Sequence, residues 1–207
     1  PRDIQLEEIP YDEFKKLYEQ EFELEGYNPV YEGHKGQIKT AIKMIKDSKK
    51  PLIIAGAGIL KGHAYDELKE FVDKTNIPVA MTLLGLGSFP ANHELALGMI
   101  GMHGTTYANY AANEADLVIA AGMRFDDRVT GNPQKFLPNA KIIHIDIDPA
   151  EIGKNKLIDV PIVGDLKNVL AEINKELEPK KHTEWTDKVK EWKNEYLRKQ
   201  ADFQNFT

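Results

Sequence analysis

At 207 residues, with 42% hydrophobic and 9% aromatic side chains, the chain has material for one substantial core plus terminal extensions. Its net charge of −6 comes from intermixed acids and bases, which argues against a nucleic-acid partner, and its longest apolar runs, such as LVIAAGM at 117–123, fall short of the roughly 20 residues a membrane helix needs. The absence of cysteine excludes disulfides, thiolate nucleophiles and zinc–thiolate sites, and suits the reducing cytoplasm. Residues 1–35, rich in Glu, Tyr and Pro, read as an interdomain connector whose one periodic stretch runs from Tyr11 to Phe22. The start at Pro1-Arg2-Asp3, without Met or a signal segment, reads as an excision point and so as the mark of a fragment.

From residue 36 the chain alternates helical and strand patterns. Ile38, Ala41, Ile42 and Ile45 have helical spacing and precede the apolar run Pro51 to Ala55. Ala64, Leu68, Phe71 and Val72 mark a second helix, followed by a strand from Pro78 to Thr82. A third helix begins near Gly104 with Tyr107, Ala111 and Ala112 on one face, and the strand Leu117 to Ala121 follows. Then come a polar loop, the strand pattern KIIHIDID at 141–148, a short strand Pro161 to Val163 and a helix from Leu166 to Leu177. Apolar strands separated by helices predict an α/β fold with a parallel sheet covered on both faces and right-handed crossovers. The domain is predicted over 36–178, and 179–207 as an amphipathic helix and linker toward a further domain. In that helix Trp185, Val189, Trp192 and Tyr196 form a stripe that packs either on this core or on a neighbouring domain.

Ligands of doubly wound sheets bind beyond the carboxyl ends of the strands, and here those ends are rich in glycine and charge. Gly56 and Gly58 permit a tight turn and an approach to a diphosphate with amides aimed at the anion, or simply a structural turn. The fingerprint G-x-G-x-x-G is incomplete, with Lys61 at the third glycine position and Thr82 where an acid belongs, which disfavours a standard NAD site. Gly98-Met99-Ile100-Gly101-Met102-His103-Gly104 exposes backbone; Met102 suits a flat ring, and His103 serves either as a ligand donor or as a loop histidine bonded to a carbonyl. Arg124, Asp126, Asp127 and Arg128, flanked by Gly122 and Gly131, form either a diphosphate clamp or a local ion-pair network. Asp146 is placed to accept from a ribose or an adenine amine, Asp148-Pro149 and Glu151 fit helix-entry capping as well, and Asp165 is either an N-cap or an adenosine contact. No P-loop, metal-spaced cluster, nucleophile elbow or complete catalytic set appears in the sequence.

The stretches PRDIQ, GYNPVYEGHKGQI, GMIGMHGTTYANYA, RFDDRVTG and HIDIDPAEIGKNK, in this order, resemble the large subunits of acetolactate synthase, a thiamine-diphosphate-dependent family, over about residues 1–175. The resemblance implies the middle of three α/β domains, a Rossmann-like six-stranded parallel sheet holding FAD. Thiamine diphosphate, its magnesium ion and the activating glutamate would belong to the other domains, so no catalytic or metal residue is expected here. By motif, Gly56, Ala57, Gly58, Thr82 and Leu83 approach the FAD, with Ile100, Gly101, Met102 and His103 near its flavin. Gly122, Arg124, Asp126, Arg128 and Val129 hold the ribityl and diphosphate, and Asp146, Ile147, Glu151, Gly164 and Asp165 the adenosine. Arg2, Met102, His103, Asp127 and Arg128 resemble residues lining the family's substrate entrance. The expected reaction is condensation of two 2-keto acids, pyruvate with pyruvate or 2-ketobutyrate, with loss of carbon dioxide, in branched-chain amino acid synthesis. Expected partners are the flanking domains, further copies of the parent chain and a small regulatory subunit. The rival readings are a related flavin-linked oxidase or carboligase, and a non-catalytic interaction domain.

Overall fold

The computed structural model describes residues 35–205. Six strands form one all-parallel sheet: β1 (Pro51–Ala55), β2 (Val79–Met81), β3 (Ala96–Met99), β4 (Leu117–Ala121), β5 (Lys141–Asp146) and β6 (Val160–Val163), in the order β3-β2-β1-β4-β5-β6. This is the doubly wound Rossmann order. Every residue of β1 and β4 is buried, as expected of central strands covered on both faces, and their apolar composition needs no alternation.

Side-chain alternation sorts the core into two layers. Ile53, Ala55, Val79, Met81, Ile119 and Ile143 face α1 (Lys35–Asp47), α3 (Tyr65–Thr75) and α6 (Leu166–Glu176). Leu52, Ile54, Ala80, Val118, Ala120 and Ile142 face α4 (Thr106–Glu114) and α7 (Thr183–Asn205). Two one-turn helices, α2 (Ala57–Lys61) and α5 (Asp127–Thr130), lie at strand exits. Thr105 starts α4 by accepting from the Ala108 amide at 3.2 Å. Asn76 ends α3 in the left-handed conformation with φ 59°.

The aromatic stripe of α7 packs on the domain's own core. Trp185 and Val189 are buried, and the Trp185 indole N–H donates to the Pro51 carbonyl at 2.9 Å. Trp192 meets Trp185 edge-on at 5.8 Å and Tyr196 meets Tyr107 at 5.7 Å. Two local expectations are corrected. Gly98 and Met99, read above as the start of a glycine-rich segment with exposed backbone, belong to the edge strand β3 (Ala96–Met99), whose pairing with β2 shifts register near Gly98, at φ +72°. Asp148 caps no helix: its Oδ1 accepts from the Ala150 amide at 2.9 Å within a turn. The predicted connector lies outside the described residues, except that Lys35 already belongs to α1.

Candidate functional site

The switch point of the sheet falls between β1 and β4, because from β1 the chain crosses to β2 on one side and from β4 to β5 on the other. A crevice opens where crossovers diverge. Its floor is a backbone crossing: Gly56 N donates to Ala121 O and Gly58 N to Gly122 O, both at 2.9 Å, while Gly122 N donates to Ile145 O at 2.8 Å. A Cβ on Gly56 would lie 2.1 Å from the Gly122 carbonyl oxygen, and one on Gly58 would lie 2.6 Å from Gly122 Cα. Gly122 also has φ +59°. The two amides expected to face a diphosphate are therefore spent on the end of β4 and the turn after it, and these glycines serve the close approach of two backbone turns.

Above this floor lies a cavity of about 690 Å³, a size suited to an extended organic cofactor. One wall is Ala57, Gly58, Lys61 and Gly62 of α2 and its end, with Thr82, Leu83 and Leu84 after β2. The middle is Gly122, Met123, Arg124, Asp126, Arg128 and Val129 after β4. The far wall is Asp146, Ile147, Asp148 and Glu151 after β5, with Gly164, Asp165 and Leu166 after β6.

Arg124 and Arg128 are exposed and pair with no described carboxylate, so the local ion-pair network anticipated among Arg124, Asp126, Asp127 and Arg128 is not formed. Asp126 instead caps α5, its Oδ1 accepting from Val129 N at 3.2 Å. Asp146 Oδ1 accepts from Asp148 N at 2.9 Å, and Asp165 Oδ1 from Asn168 N at 3.0 Å as the cap of α6. In each of the three the other carboxylate oxygen has no described hydrogen-bond partner. Glu151 is held by Lys154 at 3.1 Å. Beneath the middle wall, the fully buried His144 ring places Nε2 2.9 Å from the Met123 carbonyl oxygen. A carbonyl requires a donor, so Nε2 carries the proton. Burial holds the imidazole pKa below its ordinary 6.5, against the raising effect of that bond and of Asp146 and Glu151.

Most of the residues predicted to bind the cofactor meet in this one crevice, with four exceptions beside Gly56, which lies buried under it. Ile100 is in the core and Gly101, Met102 and His103 lie outside the cavity, because they follow the edge strand β3, two strands from the switch point. They abut its rim, since Met102 N donates to Arg128 O at 3.2 Å. Asp127 is exposed on α5 next to Arg128, and Arg2 lies outside the described residues. Lys61, Gly62, Leu84, Met123, Asp148 and Leu166 line the cavity without having been expected there. Their signal was adjacency: Leu84, Met123, Asp148 and Leu166 each directly neighbour an expected residue, Lys61 occupies the vacant glycine position of the fingerprint, and Gly62 follows it one place late. Among the described residues no three His, Asp or Glu side chains are grouped to hold a metal ion, and no helix is long and apolar enough to cross a membrane.

The strand order and the crevice at its switch point define a Rossmann-like α/β domain with a cofactor-sized site. The chain belongs to the family described as thiamine pyrophosphate enzyme, central domain, which it matches over residues 38–173. It is 53% identical over 178 residues to a probable acetolactate synthase large subunit of Methanococcus aeolicus, covering 86% of this chain and 29% of that protein. It is 46% identical over 203 residues to the acetolactate synthase large subunit of Corynebacterium glutamicum, covering 96% and 32%. It is 42% identical over 194 residues to acetolactate synthase isozyme 3 large subunit of Escherichia coli, covering 93% and 33%. The chain thus spans about a third of the length of these relatives.

Proposed function

We propose that this chain is the FAD-binding central domain of an acetolactate synthase large subunit, and that it works as a cofactor-holding module rather than a self-sufficient catalyst. The observation that carries the reading is the charge content of the crevice: two arginines without described acid partners, after β4, share it with Asp146 and Asp165, after β5 and β6, each of which keeps a spare carboxylate oxygen. A dinucleotide has matching parts, an anionic diphosphate in the middle and ribose hydroxyls at one end, and the cavity volume accommodates it.

Arg124 and Arg128 would hold the diphosphate and ribityl portion with Gly122, Asp126 and Val129, and Asp146, Glu151 and Asp165 the adenosine with Ile147 and Gly164. Ala57, Gly58, Thr82 and Leu83 would close the opposite wall, and residues 100–103 would reach the flavin across the rim at Arg128. Bound there, FAD supplies a flat ring system and a bridging anion; joining two 2-keto acids with loss of carbon dioxide transfers no net electrons, so its part is structural. In the parent enzyme, thiamine diphosphate and magnesium would be held by the flanking domains, with Asp127, Arg128, Met102 and His103 toward the substrate entrance. The parent would be a cytoplasmic oligomer, with a small regulatory subunit as a further partner.

Titration of the purified chain with FAD, followed by flavin fluorescence, tests the reading. Arg124→Gln, which removes one charge-assisted contact, is expected to weaken binding by about 10- to 100-fold with stability unchanged. No binding at about 100 µM FAD, an affinity weaker than ~5.5 kcal/mol, counts against it.

A further inference from the structure

The end of the β5-exit segment, Gly153-Lys154-Asn155-Lys156, has no part in the crevice lining, yet its side chains reach across to the loop after β4. Asn155 Nδ2 donates to the Phe125 carbonyl at 2.9 Å. Lys156 Nζ donates to the carbonyls of Pro133 at 2.9 Å and Phe136 at 2.6 Å. From β5 itself, His144 Nε2 holds the Met123 carbonyl, and its ring meets Phe125 edge-on at 5.1 Å. Gly153, at φ +75°, a conformation that side chains disfavour, lets the segment turn back toward its targets.

All the acceptors are main-chain carbonyls of one loop, and all the donors come from β5 and its exit. Two of those acceptors, on Met123 and Phe125, flank Arg124, whose own side chain has no described partner. The backbone of Arg124 is thus pinned on both sides while its guanidinium stays free. Loops of this kind are mobile unless tied, and a clamp that must be ordered at binding loses affinity to that ordering.

We propose that Asn155 is a positioning residue: with His144 and Lys156 it forms a clasp that fixes the arginine loop against β5 and its exit before ligand arrives. This rests on the dinucleotide reading of the crevice for its ligand, but the clasp itself is a property of the free chain. Asn155 is exposed, so its replacement leaves the core intact. Asn155→Asp keeps the shape and replaces the donor by an acceptor facing a carbonyl; Asn155→Ala removes it.

Hydrogen exchange of the ligand-free chain is the first measurement. In both variants the amides of residues 123–131 are expected to exchange about fivefold faster, the equivalent of one lost hydrogen bond, with those of β1 and β4 unchanged. Unchanged exchange in 123–131 overturns the clasp, whatever the ligand. The second measurement is the FAD dissociation constant, expected to rise about fivefold in either variant and to be indifferent to Asn155 once Arg124→Gln is present. An equal loss in both backgrounds overturns the positioning role and leaves Asn155 as mere scaffold. If the unaltered chain binds neither FAD nor ADP, the ligand reading fails, and the exchange experiment alone decides the clasp.

Discussion

Replacing Gly56 by alanine tests whether the glycines at the switch point serve a ligand or the fold. The added Cβ would lie 2.1 Å from the Gly122 carbonyl oxygen and 2.6 Å from Met123 Cα. Neither obstacle is the end of a flexible side chain, so the β1 exit must move by about 1 Å to restore van der Waals distance. That movement breaks or stretches the bonds from Gly56 N to Ala121 O and from Gly58 N to Gly122 O, now 2.9 Å each. Two hydrogen bonds at ~1 kcal/mol each and overpacking of ~1–3 kcal/mol sum to a loss of about 3–5 kcal/mol. Urea unfolding in the absence of any nucleotide measures it. Gly36→Ala is the control, since its Cβ would meet no described atom within 4 Å and it lies in the first turn of α1, where the change is expected to stabilise by at most ~0.5–1 kcal/mol. A Gly56→Ala protein that unfolds within ~1 kcal/mol of the parent while losing FAD affinity would refute this reasoning and return the glycine to the diphosphate.

Acid should weaken the domain through two buried histidines. In His144 and His182 one ring nitrogen bonds a main-chain carbonyl, of Met123 and Thr75, and the other is buried without a partner among the described residues. Burial is the main cause lowering both pKa values from 6.5, His182 also being disfavoured by Lys180. Above 6.5 both states are neutral and pH has no leverage; below it the unfolded chain takes protons that the folded chain refuses, so stability falls with pH until the folded pKa values are passed. Each ring contributes a slope approaching ~1.4 kcal/mol per pH unit. Urea midpoints between pH 7.5 and 5 measure this, and His182→Asn should flatten the slope by about half; a midpoint that does not fall over this range contradicts it. Trp185→Phe, which leaves the Pro51 carbonyl without its indole donor, should cost ~1–3 kcal/mol, and Trp185→Ala ~3–5 kcal/mol, by the same unfolding assay. A loss under ~0.5 kcal/mol for the alanine variant would mean that α7 contributes little to the core.

The central strands were legible because burial on both faces makes them uninterrupted apolar runs: Pro51–Ala55 and Leu117–Ala121 fall where the pattern puts them. β3 was not, since four residues including a glycine at positive φ carry neither alternation nor length, and pairing with β2 alone makes them a strand. β5 ends at Asp146 rather than running on to 148 because the Asp146 side chain captures the Asp148 amide and turns the chain. The amphipathic face of α7 was evident, but what it covers depends on the sheet's far face, which no local pattern encodes. For the crevice, the rule that strand ends carry ligands located the loops, while membership within them followed strand order. Residues 100–103 look like the others in sequence and lie outside only because β3 is at the edge. The use of the Gly56 and Gly58 amides was equally invisible, since it depends on a carbonyl contributed by a distant turn.

That turn also ties ligand occupancy to the folding of the whole domain. β1 pairs with β4 only after the chain has travelled through β2 and β3, so the cavity straddles one of the most non-local contacts in the sheet. A partly folded chain has no version of this crevice to offer. Any molecule that settles there therefore recognises the completed domain alone, and its free energy adds to global stability as RT ln(1 + [L]/Kd), about 2.7 kcal/mol at a hundredfold excess over Kd. If the occupant is a cofactor that does no chemistry, its supply would still set how much of the chain is held folded.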